Sequence, residues 1–117
     1  MADSFDLDKI KNDLRVFAKE RNWEQFHNPK NLVMALSVES SELLEIFQWL
    51  TPEQSSQVMK DAELSSQVRD EVADIALYLS RLVDILDIDL AKVCEEKIQK
   101  NGKKYPISEC YGNSSKR

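Results

Sequence analysis

The chain has 117 residues, 42% hydrophobic and 32% charged, with a formal net charge of −5, enough for one domain around one core. That charge excludes a general nucleic-acid surface, because duplex binding rests on Lys and Arg neutralising phosphates, and no apolar run approaches the roughly 20 residues a membrane span needs. Two glycines and three prolines leave long stretches free of breakers, so the expected fold class is all-α.

The first helix is expected from near Ser4 to about Asn22, with Leu7, Ile10, Leu14 and Phe17 at three- and four-residue spacings. The connector "NWEQFHNPKN" follows, rich in aromatics and holding the single histidine, and its Asn28 and Pro29 suit the cap and first turn of the next helix. That helix should run from about Pro29 to Leu50. At "TPEQ" the chain resets, with Thr51 as N-cap and Pro52 at the first helical position of a short helix or turn. A third long helix is expected from about Leu64 to Leu86, and "DIDLAKVCEEKIQKNG" predicts a fourth ending at Asn101 and Gly102.

The expected organisation is one domain over 1–105 and a tail over 106–117. From Lys97 onward, six basic residues stand against one acid, Glu109, on an otherwise acidic chain; this end is either a solvated tail or a local clamp for an anion. Cys94 and Cys110 form no CxxC pattern and no charged-then-apolar leader precedes the first helix, so a cytoplasmic protein is expected.

Two helices carry carboxylates on the wrong face. At 100° per residue, Glu39 lies within about 60° of Leu32, Leu36, Leu43, Ile46 and Leu50, in the middle of the apolar stripe; Glu42 falls beside Ala35, and Glu45 nearer the margin. Glu71 is placed alike among Leu64, Val68, Ile75, Tyr78 and Leu82, with Asp74 standing to it as Glu42 stands to Glu39. Isolated carboxylates in an apolar interior protonate or cost several kcal/mol each. They could pair with Arg69, Arg81 or a lysine, or face water in a splayed bundle. Alternatively they hold a divalent cation. Oxygen-only ligands select hard ions such as Mg²⁺ or Mn²⁺ over zinc, and Mg²⁺ leads naturally to a phosphate-bearing substrate.

The spacing Glu39-x-x-Glu42 and Glu71-x-x-Asp74, with "RNWEQFHNPKNLVMAL", "ELLEIFQW" and "DEVADIALYL" around it, resembles the all-α nucleoside triphosphate pyrophosphohydrolases of the MazG-like superfamily, in particular their dCTP pyrophosphatase branch. The resemblance covers about Leu14 to Tyr105. It implies a four-helix-bundle-type fold assembled as a homodimer or a dimer of dimers, and Mg²⁺-dependent hydrolysis of a (deoxy)nucleoside triphosphate, dCTP first, to the monophosphate and pyrophosphate. Carried over residue by residue, it makes Glu39, Glu42, Glu71 and Asp74 the metal ligands and catalytic residues, and puts Trp23 and Trp49 on either side of the base. His27 and Tyr78 would line the nucleotide pocket, and Lys97, Asn101, Lys104 and Tyr105 would hold the outer phosphates. The chain departs from many members in having Val38 where they place another Glu, so no particular general base is implied.

Each of these residues also has a plainer reading. Large aromatics such as Trp23 and Trp49 usually serve a core or an interface, a lone loop histidine such as His27 is often a cap or core residue, and lysines near a helix C-terminus favour its dipole. A carboxylate-bridged di-metal oxidase would want two Glu-x-x-His motifs, and only Glu24 to His27 matches. A non-enzymatic partner protein, its acidic stripe meeting a basic helix, is the remaining class.

Overall fold

The computed structural model describes residues 4–117, which are all-helical, with no strand among them. The long helices are α1 (Leu7–Glu20), α2 (Pro29–Phe47), α4 (Ala62–Ile85) and α5 (Leu90–Lys104), and two short ones, α3 (Pro52–Ser55) and α6 (Ile107–Cys110), punctuate the chain.

The starts are set by side-chain caps that satisfy otherwise orphaned N–H groups. Asp6, Asn28, Asp61 and Asp89 each accept from the backbone N–H three residues on, opening α1, α2, α4 and α5. Thr51 and Gln54 form a reciprocal capping box at α3, with Pro52 inside its first turn. α2 stops at Phe47, earlier than the expected Leu50, and α5 runs through Gly102 to Lys104. At Gly102 the backbone hydrogen bonds simply continue, Tyr105 N–H donating to the Asn101 carbonyl, and an interior glycine costs only about 1 kcal/mol.

The chain divides into two compact units, one ending at Leu86 and one spanning Asp87–Arg117. The break falls at the left-handed Asp87 (φ 53°), directly after α4, whereas the sequence suggests a boundary after residue 105. In the first unit α4 packs on α2 most extensively and on α1 as well. Its core is thin: Ala18, Leu32, Val58 and Val83 are its buried apolar residues among those described. In the second unit the expected tail is partly ordered, with α6 as one helical turn and Arg117 N–H donating to the Tyr105 hydroxyl.

No helix among the described residues is long and apolar enough to cross a membrane.

Candidate active site

α2 and α4 bring Glu39, Glu42 and Glu71 together, one carboxylate oxygen from each lying within 4.8 Å of the others. Glu39 and Glu71 are half-buried, as the helical rotation expects, whereas Glu42 is exposed like Glu45. No ion pair among the described residues reaches any of them; the counter-ions offered by the sequence are not used, and Arg81 pairs elsewhere. Oε2 of Glu39 and Oε2 of Glu71 are buried without a hydrogen-bond partner. Such oxygens must either share a proton or meet a cation.

The electrostatics follow. The Glu39 carboxyl is pushed up to about 7, first by the facing Glu71 carboxyl, then by burial and by Glu42 and Asp74. For Glu71 the facing Glu39 carboxyl acts in the opposite sense, but burial together with Glu42 and Asp74 outweighs it, so its carboxyl is raised too. One proton shared between two like-charged groups is the expected result. Three carboxylates with two orphaned buried oxygens and no basic partner are a donor set that fits a hard divalent cation.

Asp74 is not one of the three whose oxygens converge, but its charge acts on both Glu39 and Glu71, and it lines a cavity of about 320 Å³ together with Trp23, His27, Leu32, Tyr78 and Arg81. Trp23 owes its place to the end of α1. Asn22 adopts the left-handed conformation (φ 54°), Trp23 N–H donates to the Ala18 carbonyl and Asn22 N–H to that of Lys19, the Schellman pattern. The turn sets the Trp23 ring edge-on to Phe17, centroids 5.8 Å apart, and to His27 at 6.4 Å. His27 Nδ1 accepts from Nε–H of Arg81 at 3.1 Å, so the neutral ring carries its proton on Nε2. Burial, and then the Arg81 charge, lower the His27 pKa.

The other expected site residues are not in this cavity. Trp49 lies beyond the end of α2, 86% exposed, and does not face Trp23 within the chain. Lys97, Asn101, Lys104 and Tyr105 belong to the second unit, where Lys104 Nζ sits 5.6 Å over the Tyr105 ring. Sequence reasoning missed Arg81 as a cavity residue, although it shares a face of α4 with Asp74 and Tyr78 at helical spacing.

The fold and site together define an all-helical protein with a carboxylate centre beside an aromatic cavity. Residues 34–117 match the MazG-like family, and the chain belongs to that family. It is 34% identical over 100 residues to the dCTP pyrophosphatase 1 of Rattus norvegicus and 35% identical over the same length to that of Homo sapiens, in each case over 86% of this chain and 59% of the relative. The chain thus spans about three fifths of the length of these relatives. Among solved structures it is similar to a pyrophosphatase from Archaeoglobus fulgidus, with a TM-score of 0.79 and 34% identity, over 91% of this chain and 97% of the other. The matched family stretch begins after Trp23 and His27.

Proposed function

We propose that the chain is a nucleoside triphosphate pyrophosphohydrolase that depends on Mg²⁺, with Mn²⁺ as a substitute, and takes dCTP first, with dATP or a modified nucleotide as the alternative. The observation that carries this reading is the trio of Glu39, Glu42 and Glu71, with two buried unpaired oxygens, opening beside a cavity of nucleobase dimensions. The names of its relatives, dCTP pyrophosphatase 1 and pyrophosphatase, point the same way.

In this reading Glu39, Glu42, Glu71 and Asp74 would hold the cation, which would supply Lewis-acid activation and charge neutralisation for attack of water at the α-phosphorus. Asp74 borders both the trio and the cavity, so the α-phosphate sits at their junction and the base points toward Trp23, His27 and Tyr78. A glutamate of the cluster, or Glu45 beside it, takes the proton of the water. Lys97, Asn101, Lys104 and Tyr105 hold the outer phosphates by charge-assisted hydrogen bonds. Trp49 completes the base sandwich from a neighbouring chain, in a homodimer or homotetramer.

The test is a panel of ribo- and deoxynucleoside triphosphates with Mg²⁺, scored for monophosphate and pyrophosphate. Orthophosphate in their place would rule out attack at the α-phosphorus, and full activity in Glu39→Gln would remove the assigned metal centre.

A further inference from the structure

Arg81 is the one strongly buried charged side chain of the cavity, 6% exposed, and its hydrogen-bonding capacity is only partly used. Nε donates to His27 Nδ1 at 3.1 Å. Nη1 lies 3.6 Å from Asp84 Oδ2, an ion-pair contact too long for a hydrogen bond, and Nη2 has no partner among the described residues. Asp84 is itself held by Arg15, whose Nε donates to Oδ2 at 2.7 Å and Nη2 to Oδ1 at 2.5 Å. The guanidinium is therefore anchored at one edge by His27 and steadied by Asp84, while its Nη donors remain free beside the cavity it lines. Neither Nη is sealed from solvent, since the buried side-chain oxygens and nitrogens without a partner among the described residues are Oε2 of Glu39 and of Glu71 alone, so both Nη groups are available to an acceptor that enters the cavity. Every guanidinium N–H is a donor, in a rigid planar fork suited to two adjacent acceptors. Arg81 also lies about 10 Å along α4 from Asp74, two helical turns away, a length comparable with that of a nucleoside, so it meets the base and not the phosphates.

We propose that Arg81 is the specificity-determining residue of the cavity, its Nη donors pairing with two adjacent acceptors on the nucleobase. This rests on the reading that a nucleoside triphosphate enters base-first. Cytosine presents such a pair as N3 and O2, and guanine as N7 and O6. Adenine sets an amino donor beside its N7 acceptor, and thymine interrupts its two carbonyls with an N–H, so neither satisfies the fork. His27, with its proton on Nε2, adds a further donor to the same wall. The prediction is selectivity for an acceptor pair, which sets dCTP and dGTP above dATP and dTTP.

The experiment compares wild type, Arg81→Lys and Arg81→Met on dCTP, dGTP, dATP and dTTP by kcat/KM with Mg²⁺, and in parallel measures calorimetric binding of the four nucleoside monophosphates, which needs no hydrolysis. Wild type should favour dCTP or dGTP by about 10- to 100-fold, the usual worth of one bidentate contact, and both variants should lose that preference while the poorer substrates change little. Arg81→Lys keeps the charge beside Asp84 and should fold as wild type does, so its loss of selectivity separates base reading from structural support. Preference in the cytosine or the guanine arm identifies which acceptor pair is read, and either supports the proposal. A wild-type preference for dATP or dTTP, or an equal loss on all four substrates in Arg81→Lys, would overturn it. If no triphosphate is hydrolysed but monophosphate binding is base-selective and Arg81-dependent, the proposed reaction fails and this inference stands; if binding is unselective as well, the inference fails too.

Discussion

Glu39 on α2 and Glu71 on α4 face each other with one oxygen each, Oε2 in both, buried and without a hydrogen-bond donor. Neither could have been placed there by folding energetics alone, since like charges in a low-dielectric setting repel and lose hydration. Their opposition is a cost to the folded protein, and several consequences can be measured.

Replacing one of the pair by its neutral isostere should separate stability from function. Glu39→Gln removes a charge from the cluster and supplies an amide donor for Glu71, so without divalent ions the variant should melt a few degrees above wild type. Its turnover with Mg²⁺ should fall by about two orders of magnitude or more, since even residues behind a metal's ligands are worth about 10- to 100-fold. Melting curves in chelator and a pyrophosphate-release assay check the two halves.

The pH dependence has a definite sign. With its carboxyl raised from the ordinary 4.5 to about 7, folded Glu39 keeps a proton that the unfolded chain releases. Its contribution to the stability of the metal-free protein is therefore greatest below about pH 4.5, declines as pH rises to about 7, and changes little above that. His27, with a lowered pKa, works in the opposite direction near its ordinary 6.5, so the measurement is the difference between wild type and Glu39→Gln melts from pH 5 to 8. Mg²⁺ must displace the same proton, so its affinity should strengthen as pH rises through this window. Calorimetry in buffers of different ionisation enthalpy would count the proton released.

Much of this was legible because it is local. Asn28 with Pro29 and Thr51 with Pro52 announce helix starts within four residues, and the rotation of α2 alone sets Glu39 apart as the half-buried one of its three glutamates. What was not legible depends on partners far along the chain. Arg81 reads as a counter-ion for the carboxylates until His27, on another element, is seen to accept from it. At 100° per residue Val83 stands about 120° from Glu71, off the apolar stripe of α4, yet it is 3% exposed, because α4 packs against both α1 and α2 and so buries more than one stripe. Trp49, expected opposite Trp23, is instead 86% exposed, since α2 ends before reaching it.

The Arg15, Asp84 and Arg81 cluster should behave as a support for the cavity. Asp84→Asn leaves the buried Arg81 without its negative partner and should lower Tm by several degrees, whereas Arg15→Ala, which removes a largely exposed partner (58%), should cost much less. The Asp84 carboxyl is held below its ordinary 3.8, chiefly by the Arg15 hydrogen bond, so its contribution is present above pH 3.8 and is lost as pH falls through the folded value. Melting Asp84→Asn and wild type at pH 7 and pH 3 should show the gap between them closing in acid.

The apolar surface of α2 carries the last prediction. Met34 is 56% exposed and Leu44 62%, with Val33 and Val38 also exposed on the same helix, on faces turned away from the Glu39 stripe. A chain this small with a thin core gains by burying such residues against a copy of itself, and closed symmetry would then repeat every contact. Leu44→Glu and Met34→Glu should therefore shift the protein toward monomer in sedimentation without unfolding its helices. Because Trp49 is exposed and absent from the cavity of its own chain, monomerisation should also raise KM for the preferred nucleotide by about tenfold, the worth of a lost stacking partner, while binding of Mg²⁺ alone stays unchanged. A fully active monomer would show that the site needs no second chain and that Trp49 is an ordinary surface residue.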